Sequence, residues 1–247
     1  MHISRTRFKK EIVTEFIKPK NSRSRKVLIL CQGMPSVPKK NSVMEFFAEK
    51  GYWVFFPHYR GTWESDGQFL QKSPHKDVLD ILDGLEKGFT DFWTDKTYTL
   101  QPKEVVLVGS SFGGAAVLLA SIDKRVDRVL ALSPVCDWRE DSKVEPLPWL
   151  RDFMKKAFGN AYRFTDKDWS KLSSGTFFNP MSEVKKMVGG KITIVHGKRD
   201  TLTFSSTSKT FCAATGATYI EIATNEHFST SKLLEEDFFK KVSSLFI

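Results

Sequence analysis

A serine set between two glycines, where an apolar strand gives way to an apolar helix, is the residue in this chain best placed to do chemistry. The stretch reads VVLVGSSFGGAAVLLA over residues 105–120. A serine hydroxyl is weakly nucleophilic unless a base takes its proton as it attacks. It also needs an exposed perch, which a sharp strand-to-helix turn supplies. Such a turn presses the positions two before and two after the serine against neighbouring backbone, so both must be tiny. Gly109-x-Ser111-x-Gly113 meets that need, whereas Ser110 has Val108 and Phe112 at the same offsets. The plainer alternative is a glycine-rich turn that merely lets helix and strand lie close.

The elements that would position this serine follow from the apolar pattern. Short apolar runs predict strands over Lys26–Cys31, Tyr52–Phe56, Glu104–Val108, Arg128–Leu132, Lys191–Val195 and Ala217–Ala223. Helical spacing predicts helices over Asn41–Lys50, Asp77–Gly88, Gly114–Ile122, Phe204–Ala213 and Ser231–Phe246. Alternating strands and helices imply a mostly parallel central sheet with helices on both faces, an α/β architecture. Ligands then sit beyond the carboxyl ends of the strands. Polar turns gather there: Gln32-Gly33-Met34-Pro35-Ser36, His58-Tyr59-Arg60-Gly61-Thr62, Ser133-Pro134-Val135-Cys136-Asp137, His196-Gly197-Lys198-Arg199-Asp200 and Asn225-Glu226-His227-Phe228.

With these residues in view, the chain resembles the α/β-hydrolase family from about Lys26 to its end, as a single α/β-hydrolase domain over residues 1–247. In that family the triad runs in the order serine, acid, histidine, which implies Ser111, Asp200 and His227. HGKRDTLTF resembles the family's acid turn; Asp137 competes as acid, because some members place it after the preceding strand. His58 ends a strand at the same edge and is the rival base, His196 reads as structural, and His2 and His75 have no supporting context. The oxyanion donors would be the backbone N–H groups of Phe112 and Met34, since Pro35 has none to give. Many relatives carry His-Gly where this chain has Gln32-Gly33. The loop Tyr59-Arg60-Gly61-Thr62-Trp63-Glu64-Ser65-Asp66-Gly67 is similar to the Arg-Gly-x-Gly-x-Ser loop of the serine-aminopeptidase and prolyl-oligopeptidase-like branches, with Trp63 at the second glycine's place. Arg60 would bind a substrate carboxylate or fix its own loop to Asp66 or Glu64.

The resemblance implies a serine hydrolase acting through an acyl-enzyme on a small-molecule ester or amide. Carboxylic esters of small or medium apolar acyl groups come first; a small exopeptidase or acyl-peptide hydrolase, gripping a terminus with Glu64 or Arg60, is the alternative. A non-catalytic binding protein on the same fold is the third reading, which three triad members at separate strand ends argue against. A lid insertion is expected at about residues 138–178, where Trp138, Trp149, Phe153, Phe158, Trp169, Phe177 and Phe178 fall. Most would pack and some, Trp138 among them, would face substrate.

Bulk properties bound the rest. The 247 residues suffice for one large domain with its own core. Cys31, Cys136 and Cys212 are odd in number and widely spaced, which suggests neither disulfides nor zinc and fits a reducing, cytoplasmic setting. No metal cluster or phosphate loop appears, and the chemistry calls for no cofactor. No apolar run reaches the length of a membrane span, and no signal-peptide pattern follows the basic residues 1–10. The net charge of +9 gathers most densely at Lys18, Lys20, Arg23, Arg25 and Lys26. Without interleaved aromatics it reads as a solvated surface with no nucleic-acid partner, docking on membranes or nucleic acid being the other possibility.

Overall fold

A computed structural model describes residues 2–21, 23–140 and 142–246. Ten strands and seven helices alternate along it. In chain order they are β1 (Ile3–Phe8), β2 (Ile12–Ile17), β3 (Lys26–Cys31), α1 (Asn41–Glu49), β4 (Tyr52–Pro57) and α2 (His75–Lys87). There follow β5 (Phe89–Thr90), β6 (Thr97–Tyr98), β7 (Glu104–Ser110), α3 (Phe112–Ala120), β8 (Arg128–Leu132), α4 (Leu147–Phe158) and α5 (Asp166–Ser170). The chain closes with β9 (Ile192–Gly197), α6 (Ser205–Thr215), β10 (Thr218–Ile222) and α7 (Glu236–Lys240).

Eight strands form one sheet in the order β1-β2-β4-β3-β7-β8-β9-β10. From β4 to β10 every pairing is parallel, while β1 and β2 join antiparallel at one edge. The central strands are buried on both faces, so their sequences are apolar throughout rather than alternating. Successive side chains still divide between the two layers. Val27, Ile29 and Cys31 join Val105 and Leu107 in one core; Leu28 and Leu30 join Val106 and Val108 in the other. Helix α3 is buried on every side, which explains its uniformly apolar sequence.

Two features depart from the sequence expectation. The β1–β2 hairpin was not anticipated, because its strands mix charged and apolar residues. The expected helix over Ser231–Phe246 is broken: 3-10 turns at Thr230–Leu234 and Ser243–Phe246 flank the short α7, and Glu235 between them is extended. The break lets Leu233, Phe238, Val242 and Phe246 all reach the same core.

The loop after β4 is held by a buried ion cluster. Arg60 gives its Nε to Glu11 in the hairpin turn, its Nη1 to Asp77 and its Nη2 to Asp80 at 2.7 Å, the last two on α2. The backbone N–H of Arg60 also donates to Asp77, at 2.8 Å. The guanidinium is a planar fork that serves several carboxylates at once. Burial pushes the Asp77 carboxyl up to about 6, even with the guanidinium beside it holding it down. Removing the cation would leave the buried Asp77 carboxylate with a backbone N–H but no compensating charge. Arg60→Leu is therefore expected to lower unfolding free energy by about 3 kcal/mol, read from urea denaturation at neutral pH.

Candidate active site

The turn from β7 into α3 is strained and enforced from several sides. Ser111 sits at φ 53°, ψ −119°, a conformation that non-glycine residues rarely adopt. Its N–H donates to the Leu132 carbonyl at 3.0 Å, and its own carbonyl accepts from Ala115 and Val135. The flanking glycines are required by close approach. A Cβ on Gly109 would lie 2.2 Å from the Gly113 carbonyl oxygen, and one on Gly113 would lie 2.2 Å from that of Cys31. Gly33, in the turn after β3, approaches less closely: its Cβ would stand 3.3 Å from Ser111 Cβ, a tight contact.

A cavity of about 350 Å³ opens over this turn, and Ser110, Ser111, Met34, Phe112, Trp138 and His227 all line it. The Ser111 hydroxyl makes no hydrogen bond among the described residues. The amides of Met34 and Phe112 are likewise unpartnered among them, so the wall offers two free N–H donors near a free hydroxyl.

His227 follows β10 in an irregular loop and is tied to the acid after β9. Its Nδ1 lies 2.8 Å from Asp200 Oδ2. A carboxylate only accepts, so Nδ1 carries the proton and Nε2 is left as the basic nitrogen. Asp200 is bound more elaborately than a two-residue pair requires. His196 Nε2 lies 3.3 Å from the same Oδ2, and Ser208 donates to His196 Nδ1 at 2.9 Å. The backbone of Leu202 donates to Oδ1 at 2.9 Å, and the Thr203 hydroxyl stands 3.2 Å from Oδ2. Burial raises the Asp200 carboxyl, but the hydrogen bonds from His196 and His227 overcome it and hold it far below the ordinary carboxylate range.

Ser133 joins the two loops. Its carbonyl accepts from the Thr203 hydroxyl at 3.2 Å, and its hydroxyl accepts from the Phe228 amide at 3.1 Å. Sequence reasoning passed over Ser133 and Thr203 and read His196 as structural. The only signal for Ser133 and Thr203 was a polar residue just past an apolar strand or beside the acid.

The other candidates lie elsewhere or are engaged. His58 is fully buried, with Nδ1 2.8 Å from Glu64 Oε2, and it does not line the cavity. Asp137 does line it, but its carboxylate is taken by Arg139 and Asn179. Arg60 lies outside the cavity with its guanidinium given to Glu11, Asp77 and Asp80, which corrects the expectation that it binds substrate. Glu64, spent on His58 and Arg5, cannot grip a substrate terminus either. Trp138 remains in the wall, its Nε1 donating to the Phe178 carbonyl at 2.9 Å.

The segment between β8 and β9 forms one wall and is stitched to the loop after β4. Arg163 donates its backbone N–H to Gly61, Phe69 to Arg163, and Trp63 to Ala161. Trp63 has a left-handed backbone at φ 48°. Its ring lies edge-on to Phe158 and Tyr162 of the segment, which offsets the strain. Trp149 and Phe153 stack on each other at the outer face of α4 rather than facing the cavity.

Two outcomes follow from this geometry. Gly113→Ala is expected to cost about 3 kcal/mol of stability, while Gly190→Ala, where a Cβ meets nothing, is expected to cost little; thermal unfolding compares them. Because Asp200 is depressed in the fold, its contribution is complete above the unfolded carboxyl's pKa of about 3.9 and declines as pH falls below it. His196→Leu removes one of the depressing donors. The stability gap between wild type and this variant should therefore be widest near neutrality and narrow below about pH 4, as urea titrations at both pH values would show.

The comparisons with known proteins agree with this architecture. The prolyl oligopeptidase family model matches residues 38–225, well over half the chain. A Pyrococcus furiosus esterase superposes with a TM-score of 0.70 at 17% identity, over 99% of this chain and 89% of that one. An acylaminoacyl peptidase of Pyrococcus horikoshii gives 0.63 at 15% identity over 99% of this chain, which spans only 40% of it. Est1E of Butyrivibrio proteoclasticus, with ferulic acid bound, gives 0.63 at 16% identity over 95% of each chain. No curated protein matches the sequence. At such identities the structures speak to the fold, and the family model carries the assignment: the chain belongs to the prolyl oligopeptidase family and is a serine hydrolase of the α/β-hydrolase fold.

Proposed function

We propose that the chain hydrolyses carboxylic esters of small or medium apolar acyl groups through Ser111, His227 and Asp200. The observation that carries this reading is the convergence on one cavity of an unpartnered serine on a strained turn and a histidine bonded to a buried acid. His227 Nε2 takes the proton as Ser111 Oγ attacks the carbonyl carbon. The Met34 and Phe112 amides receive the oxyanion. The imidazolium, oriented and stabilised by Asp200, protonates the leaving alcohol. Water then attacks the acyl-enzyme by the same route and frees the acid.

The wall supports an apolar acyl group, since Phe112, Trp138, Leu147 and Leu150 all line it. Residues 138–178 serve as the lid in this reading, within a single domain. The family assignment favours a second reading, hydrolysis of acyl-peptide or aminoacyl amides. With Glu64 and Arg60 engaged elsewhere, the charged wall residues without an ion-pair partner among the described residues that could grip a terminus are Lys40, Glu140 and Glu145.

Labelling with a fluorophosphonate probe tests the nucleophile. Wild type and Ser110→Ala should label and Ser111→Ala should not, with ester turnover falling on the order of 10⁴-fold or more in the latter. Labelling that survives Ser111→Ala would refute the assignment. Turnover of neutral acyl esters above that of aminoacyl amides supports the esterase; the reverse order, lost in Glu145→Gln, supports the peptidase.

A further inference from the structure

The amino ends of the parallel strands carry a feature that hydrolysis does not use. The connection between β2 and β3 supplies Lys18, Lys20, Arg23 and Arg25, all exposed. They meet the ribbon β5–β6 and the segment after it. Lys18 Nζ lies 2.9 Å from the Tyr98 hydroxyl and 5.0 Å over its ring, and Lys96 stands 5.4 Å over the same ring. Arg25 donates its Nε to the Gln101 carbonyl at 2.6 Å, and the Lys103 amide donates back to the Arg25 carbonyl at 2.9 Å. None of Lys18, Lys20, Arg23, Arg25, Lys96 and Lys103 forms a close ion pair among the described residues, although Lys18 is near enough to Asp91 to help hold its carboxyl down. Asp91 and Asp95 are the only acids in residues 18–26 and 87–103, and Asp91 is turned inward.

The tip of the ribbon, held against the edge strand β1, presents two large apolar rings, with Lys96 in the same turn and Lys18 near Asp91. Phe92 is 48% exposed and Trp93 is 60% exposed. The tip is nonetheless firmly built. Asp91 accepts from the Trp93 amide, the Thr94 hydroxyl and the Ser4 hydroxyl, each at 2.9 Å. The Phe92 amide donates to the Arg5 carbonyl at 2.8 Å, and Asp91 and Lys96 close the turn. A loop ordered by this many bonds, holding adjacent aromatic side chains in water, is pre-organised for a contact.

We propose that this edge docks on an anionic lipid surface, with Phe92 and Trp93 entering the headgroup layer and the surrounding cations facing acidic lipids. The chemistry matches an interfacial anchor, in which aromatic residues supply apolar burial and lysines and arginines supply attraction to anionic headgroups. No described helix is long and apolar enough to cross a membrane, so the contact would be peripheral. Single-stranded nucleic acid is the less fitting partner. It asks for rings spread along a basic groove that tracks a backbone, whereas these two are consecutive at a hairpin tip.

Co-sedimentation of the full chain with vesicles tests this independently of any catalytic reading. The protein should pellet with mixed phosphatidylcholine–phosphatidylserine vesicles and not with phosphatidylcholine alone, and salt should release it. Lys18→Gln and Lys20→Gln should each weaken partitioning about fivefold. Phe92→Ser with Trp93→Ser should weaken it on the order of tenfold. Both sets are exposed, and unchanged circular dichroism would show that they fold. Absence of binding to the mixed vesicles overturns the proposal, as does binding that both sets of variants retain. Displacement of the vesicles by a single-stranded oligonucleotide at lower concentration would reassign the surface to nucleic acid.

Discussion

The positive φ of Ser111 is the constraint around which the rest of the structure is arranged. A non-glycine residue at φ 53° is unfavourable by of order 1–3 kcal/mol, and it persists only because its surroundings over-determine it. The Leu132 carbonyl holds its amide, two amides hold its carbonyl, and Gly109 and Gly113 bring β7 and α3 closer than any side chain would permit. The parallel sheet then does the remainder. Ser111, Asp200 and His227 follow the carboxyl ends of β7, β9 and β10, so alignment of these strands is also alignment of the three side chains.

Away from the cavity, charge is used to fix loops rather than to bind ligands. Arg60 ties the loop after β4 to α2 and to the hairpin turn at Glu11. That loop in turn carries the segment between β8 and β9 through main-chain bonds at Gly61, Trp63 and Phe69. A wall of the cavity thus rests on an ion cluster that never meets substrate. Trp63 makes sense in these terms: it holds a left-handed backbone, and its ring adds contact with Phe158 and Tyr162.

What was legible in the sequence was whatever the backbone imposes locally. The central strands announce themselves as apolar runs because both faces are buried, and the glycines at 109 and 113 reveal the turn because nothing else fits. Ser111, Asp200 and His227 were expected because each follows a strand end and because the family's order runs serine, acid, histidine, although β10 before His227 is only a half-buried edge strand. The β1–β2 hairpin was not, since Arg5, Arg7 and Glu15 owe their places to ion pairs with one another and with distant Glu64 and Asp66. The fate of Arg60 was hidden for the same reason: Glu11, Asp77 and Asp80 come together only in three dimensions. The broken C-terminal helix follows from which side chains the second core admits, which periodicity along the chain does not record.

The double bond made by Ser133 has a consequence for how the site comes apart. One residue holds the acid's loop by its carbonyl and the histidine's loop by its hydroxyl. Loosening either loop withdraws a tether of the other, so the two behave as one cooperative unit. Such a unit opens as a whole or remains closed, and half-assembled states are sparsely populated. The local transition that exposes the backbone amides of these loops also parts His227 from Asp200, so amide exchange reports on the integrity of that pair.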